Sequence, residues 1–200
     1  REALREELIR DDRVFLMGED IGAYGGSYAV TRGLLDEFGR DRVIDTPIAE
    51  SGIVGAGASA AMAGMRPMVE LMTINFSFLA LDQIVNSAAK LHYMSNGQIT
   101  VPLVIRMASG GGSQLGATHS HSLEGLYAHF PGLRVVCPST AADAKGLLKR
   151  AFRDDNTTIF IEHTALYGMR GEVPDDPDYL IEFGKANVLR EGTDVTIVGY

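Results

Sequence analysis

A few side chains in this 200-residue sequence have the type and spacing to move protons or to hold a flat ligand. Glu50 opens an Ala/Gly-rich stretch of helical length, directly after Ile48 and Ala49. Two readings apply to it. A helix N-terminus favours a carboxylate through its dipole. A carboxylate buried among apolar groups holds its proton more tightly and exchanges it with a ligand. The loop Ser109-Gly110-Gly111-Gly112-Ser113 leads to Gly116-Ala117-Thr118-His119-Ser120-His121-Ser122. It lacks the Lys-Ser/Thr ending of a phosphate-binding P-loop. His119 and His121 face one way on an extended chain, yet a metal site wants a further carboxylate or His. Catalytic or substrate-binding work by one His suits a glycine loop better. Phe76, after Asn75, reads either as core or as a ring for a flat ligand. Arg153-Asp154-Asp155-Asn156 reads as a helix end and turn, or as a cation site of carbonyl oxygens and one Asp.

Gly55-Ala56-Gly57-Ala58-Ser59-Ala60 has the G-x-G-x-x-A form of a dinucleotide fingerprint. That motif needs a strand directly before it, and Thr46 to Ser51 read as loop and helix start. Packing is the better reading. Gly52, Ala56, Ala60 and Gly64 recur every four residues and let a neighbouring backbone, even another subunit, come close.

These residues must be held by elements that alternate in type. Apolar runs at 14–17, 42–45, 67–72, 102–107, 133–136 and 158–162 read as strands. Helical patterns lie over 30–38, 50–64, 76–94 and 141–152, the last with Ser139 and Thr140 as N-caps. Strands alternating with helices predict an α/β fold with a mostly parallel sheet flanked by helices. Residues 171–179, rich in Pro and Asp, read as a loop. The chain begins without Met and ends inside the apolar run 195–200, which reads as the first strand of a further domain. We therefore expect a fragment, with one domain over 1–180 and a linker plus the start of a truncated C-terminal domain over 181–200.

Composition sets the limits. Hydrophobic residues at 46% and charged residues at 22% suit a globular core and argue against disorder. The net charge of −8 argues against nucleic-acid binding, which needs a basic surface. No apolar run reaches the length of a membrane span, and no secretory signal is visible. The single Cys137 fits a reducing compartment.

Six ordered motifs then bring a family into view. They are Gly18-Glu19-Asp20-Ile21-Gly22, Ile44-Asp45-Thr46-Pro47-Ile48-Ala49-Glu50, Asn75-Phe76 with Asp82-Gln83-Ile84-Val85-Asn86, Ala117-Thr118-His119-Ser120, His129-Phe130-Pro131-Gly132-Leu133, and Asp143-Ala144-Lys145-Gly146-Leu147-Leu148. In them the chain resembles the β subunits of thiamine-diphosphate-dependent 2-oxo acid dehydrogenases, pyruvate dehydrogenase foremost. The resemblance implies a transketolase-like pyrimidine-binding domain that supplies half of a shared cofactor site. An α subunit would hold the diphosphate and magnesium through a Gly-Asp-Gly sequence, which this chain lacks.

Residue by residue, Glu50 matches the glutamate that hydrogen-bonds a ring nitrogen of the aminopyrimidine and so promotes loss of the thiazolium proton. Ile48, Ala49 and Ile53 suit a dry setting for that contact. Phe76 matches the ring stacked on the pyrimidine, and Met72 a neighbouring apolar contact. His119 matches the histidine on the substrate side, while His121 stands where the family more often has Gln. Leu103, Ala151, Phe152, Asp154 and Asn156 match a potassium site formed mostly by backbone oxygens in some relatives.

The implied reaction is decarboxylation of pyruvate with transfer of acetyl to lipoamide. Its partners are an α subunit in an α2β2 heterotetramer and a lipoyl-bearing acyltransferase core. The implied setting is bacterial cytoplasm, the mitochondrial matrix or a plastid. Acetoin and branched-chain 2-oxo acid dehydrogenases share the framework, and the loop 107–113 departs from the commoner Gly-Pro version. Two rivals come from other classes. A nicotinamide-binding domain would use Gly55, Gly57 and Ala60, and a non-catalytic assembly subunit would use its helix faces only.

Overall fold

A computed structural model describes residues 1–111 and 114–199. Its centre is a parallel six-stranded sheet of β1 (Val14–Gly18), β2 (Val43–Asp45), β3 (Arg66–Leu71), β4 (Val104–Ser109), β5 (Arg134–Val136) and β6 (Thr158–His163). The spatial order is β2-β1-β3-β4-β6-β5, and every pairing is parallel. Parallel strands need crossovers and are covered on both faces, so their residues read as continuous apolar runs. β1 and β4 are buried at every position. All six strands lie where the apolar runs predict them, within a residue or two at each end.

Alternate residues of the central strands feed two cores. Phe15, Met17, Val69, Leu71, Ile105 and Met107 pack on one face under α3 (Glu50–Met62) and the segments that follow β3. Val14, Leu16, Met68, Val104 and Phe160 pack on the other, under α1 (Glu2–Arg10), α2 (Leu34–Phe38) and α6 (Ala141–Arg153). Each fully buried Leu, Ile or Phe contributes roughly 1.5–3 kcal/mol relative to leaving it in water. α6 starts in a capping box, with Thr140 accepting from the Asp143 amide and Asp143 accepting from the Thr140 amide.

α1 escapes a reading by apolar periodicity, because five of its nine residues are charged, beside Ala3, Leu4 and Leu8. Ion pairs compensate. Lys145 of α6 reaches Glu2 at 2.7 Å and Glu6 at 2.9 Å, Lys149 also meets Glu6, and Arg153 meets Glu7 at 2.8 Å. Both lysines are buried, which they tolerate only because they are paired.

Three expectations are corrected. Residues 76–94 are not one long helix. They form a 3-10 segment (Ile74–Ala80), a π-turn (Gln83–Ala88) and the single turn α4 (Leu91–Met94). A polar side chain competes with the helical ladder there: the Ser77 hydroxyl donates to the Ile74 carbonyl. The helix expected over 30–38 shrinks to α2, because Gly33 ahead of it is left-handed at φ 84°. Residues 195–199 form no strand, and Val195, Ile197 and Val198 are exposed; a lone apolar run has no neighbour to complete its backbone hydrogen bonds. Among the described residues no helix is long and apolar enough to cross a membrane.

Candidate functional site

In a parallel sheet, residues just beyond the carboxyl ends of the strands are free of the ladder and can face a ligand. The candidate residues gather there. Glu19 follows β1, Met72 follows β3, the loop with His119 follows β4, and Glu50 opens α3 after β2. α3 lies on the sheet because Gly57 allows it: a Cβ there would stand 2.5 Å from a Val69 methyl. The dinucleotide reading of Gly55, Gly57 and Ala60 fails at this point. They lie inside α3, and no strand leads directly into them, since β2 ends at Asp45.

Glu50 is 4% exposed. Its neighbour in charge is Glu19, which is 7% exposed and has one carboxylate oxygen with no hydrogen-bond partner. Burial pushes the Glu19 carboxyl above its usual range, and the negative charges of Glu50 and Asp20 push it further. The loop that buries Glu19 is fastened by Asp45, whose carboxylate accepts the Gly22 amide at 2.6 Å. No side chain fits at Gly22, because a Cβ would meet that same carboxylate at 2.5 Å. The apolar setting expected around Glu50 is only partly present: Ile53 is buried, but Ile48 is 80% exposed and Ala49 is exposed.

Phe76 lies in the 3-10 segment against which α3 packs, and Met72 is half-buried just before it. The Phe76 ring meets the His119 imidazole edge-on, with centroids 5.2 Å apart. His119 is half-buried within the single turn Ala117–His119. Phe78 meets His121 in the same way at 5.5 Å. Phe78 and Leu79 are otherwise exposed, which leaves an apolar rim beside the site. Gly112 and Ser113 of the glycine loop lie outside the described residues.

The five positions matched to a potassium site lie where β4 and β6 begin and α6 ends. The Leu103 carbonyl accepts from the Thr158 amide at 2.8 Å. Arg66 donates to the carbonyls of Phe152 at 3.0 Å and Asp154 at 3.1 Å. Burial works to raise the Asp154 carboxyl, but Asn156 and the Arg134 guanidinium outweigh it and hold that carboxyl below its usual range. A potassium ion at this place would share two carbonyls with a fixed guanidinium, so no step is attached to it.

Glu19 lies within a recognised motif, but nothing in its local pattern marks it as buried beside Glu50. Another cluster carried no local signal at all. Arg106 of β4 is 1% exposed and pairs with Glu70 of β3 and with Glu162 of β6. Its Nε donates to Glu162 at 3.0 Å, and Tyr167 donates to the same carboxylate at 2.7 Å. These charges brace the carboxyl ends of three adjacent strands.

The family described as the pyrimidine-binding domain of transketolase matches residues 1–170. The pyruvate dehydrogenase E1 component subunit beta of Rickettsia felis is 53% identical over 200 residues, all of this chain and 61% of that protein. The subunit of the same description from Rhizobium meliloti is 52% identical over all of this chain and 44% of its own length. The mitochondrial one of Dictyostelium discoideum is 51% identical over 99% of this chain and 56% of its own. The chain thus spans between 44% and 61% of the length of these three relatives. A solved structure titled as a split-gene transketolase, inactive beta4 tetramer, superposes with a TM-score of 0.72. It covers 96% of this chain and 57% of that one at 22% identity, a likeness in fold.

Proposed function

The chain belongs to the transketolase pyrimidine-binding domain family, and on that premise we propose that it is the pyrimidine-binding part of a pyruvate dehydrogenase E1 β subunit. The single observation that carries the proposal is Glu50, buried at the start of α3 beside the raised carboxyl of Glu19. An acidic pair held out of water can lend a proton to an aromatic ring nitrogen and take it back. When bound, thiamine diphosphate supplies the electron sink that a 2-oxo acid needs in order to lose carbon dioxide.

The residues of this chain suit the pyrimidine end of that cofactor. Glu50 holds the proton at the ring nitrogen, Phe76 offers a flat apolar face, and Met72 fills in beside it. The negative charge of Glu50 adds to burial in raising the Glu19 carboxyl beside it. His119 meets Phe76 edge-on, and its role in this reading is to orient the substrate or the acyl acceptor. The diphosphate and its magnesium fall to an α subunit, since no Gly-Asp-Gly occurs here. The same subunit would cover Ile48, Phe78 and Leu79, the exposed apolar residues at the site, and give Glu50 its dry surroundings. The pairing is an α2β2 heterotetramer that hands acetyl to a lipoyl-bearing acyltransferase core. Pyruvate is the 2-oxo acid named by the relatives.

Calorimetric titration of thiamine diphosphate with magnesium tests the division of labour. Binding is expected with an α subunit present and not to this chain alone; tight binding to the chain alone would refute a shared site. In the assembled enzyme, Glu50→Gln is expected to lower kcat by about 100-fold or more, on the scale of a lost general acid–base group. Unchanged decarboxylation by that variant would remove Glu50 from the proton path.

A further inference from the structure

The 3-10 segment Ile74–Ala80 presents its residues alternately. Phe76 and Phe78 turn their rings to His119 and His121, while Asn75 and Ser77 are buried and bonded. The Asn75 side-chain oxygen accepts both the His121 amide at 3.0 Å and the His121 ring Nδ1 at 2.8 Å. The Asn75 amide nitrogen donates to the Thr73 hydroxyl at 3.0 Å, which fixes which end of the amide faces the histidine. The main-chain N–H can only donate, so this oxygen is an acceptor, and Nδ1 of His121 must carry a hydrogen. Two residues further along the segment, Ser77 is hydrogen-bonded by the buried Tyr127 hydroxyl. Ser109 at the end of β4 donates to the His121 carbonyl at 3.4 Å and to Glu124 at 3.2 Å.

From this geometry we infer that His121 is a positioning residue. It works as an N–H donor that pins the turn carrying His119 to the segment carrying Phe76. The inference rests on the functional reading above for its catalytic consequence, but the pin itself is a property of the fold. It also accounts for a departure noted in the sequence. Gln, the commoner residue there, ends in an N–H that can reach the same oxygen. Ala, Leu or Val offers no donor and leaves a buried acceptor short of a partner. The imidazole of His121 is thus needed for its donor and its edge-on contact with Phe78, not for carrying protons.

The test compares His121→Ala and His121→Gln in the assembled α/β enzyme, by hydrogen exchange of the amides in 116–123 and by steady-state kinetics. His121→Ala is expected to lower protection of those amides about tenfold and kcat about tenfold, with KM for the 2-oxo acid moving less than about twofold. His121→Gln restores both to within about threefold of the original. Asn75→Ala removes the acceptor from the other side; it lowers the same protection, and adding His121→Ala to it causes little further loss. Unchanged exchange in His121→Ala overturns the pin. So does a His121→Gln enzyme with restored protection and kcat as low as the Ala variant, because the ring would then act on protons. A fully active Glu50→Gln enzyme would instead sink the functional reading and leave the exchange result standing.

Discussion

Replacing Arg106 by Leu tests what braces the ends of the central strands. The guanidinium is 1% exposed, and its partners Glu70 and Glu162 have side chains 7% and 12% exposed. The substitution leaves two carboxylates facing each other without their cation. Removing one member of a buried ion cluster costs about 3–5 kcal/mol. For a domain of this size each kcal/mol moves the melting midpoint by roughly 2–4 °C, so the drop is about 6–20 °C. The pH dependence gives a second, independent signature. Burial alone would raise the Glu162 carboxyl, but Arg106 and Tyr167 more than offset that and hold it below its ordinary value. A lowered carboxyl adds stability above its unfolded value of about 4.3, and that stability is lost as pH falls through the folded value. In the Leu variant burial acts on Glu162 unopposed, so the deficit is largest at neutral pH and shrinks as pH falls toward about 4 and Glu162 takes up a proton. Differential scanning calorimetry at matched protein concentration, from pH 4 to 8, measures both signatures. Adding Glu70→Gln and Glu162→Gln to the Leu variant should recover much of the loss, since the unpaired charges cause it. A midpoint within about 2 °C of the original at pH 7, or a deficit that does not change with pH, would refute the argument.

Other outcomes follow from single contacts. Glu19→Gln should raise the melting midpoint at pH 7 to 8. The Glu19 carboxyl is raised in the fold, so its stabilising protonated form is full below about pH 4.3 and lost as pH rises through the folded value. The gain should therefore vanish below about pH 4, and an equal gain across the whole range would contradict the assignment. Gly132→Ala should cost about 3 kcal/mol or more, because φ is +100° and a Cβ would stand 2.0 Å from the Ala89 carbonyl oxygen. Thermal unfolding of the variant checks this, and a normal midpoint would mean the backbone there gives way freely.

How much of this was legible in the sequence depended on how local each signal was. The buried parallel strands write themselves as apolar runs, and Thr140 with Asp143 mark the start of α6 within four residues. Glu50, Phe76 and His119 stood out through motif resemblance, whereas physics alone left each with two readings. The break of 74–94 was hidden, because Ile84, Val85 and Ala88 keep helical spacing and are buried whether the backbone is α or π. α1 was missed because charge pairs with α6, more than 140 positions away, replace part of an apolar stripe. The burial of Glu19 has no local signal, because the loop that follows it is fastened by Asp45 from another strand. The Arg106 cluster joins three strands and has no local pattern at all.

The pairing of α1 with α6 has a consequence for the birth of the chain. Glu2 and Lys145 are 143 residues apart in sequence, yet each depends on the other. At roughly 5–20 residues per second, a ribosome needs about 7–30 s to bridge that gap. For all of that interval the first helix has no partner to receive Glu2, Glu6 and Glu7, and Leu4 and Leu8 lack their share of α6's cover. α1 thus settles only after α6 has been made. Until α6 is made, α1 is a charged, part-apolar segment without the surface it docks on.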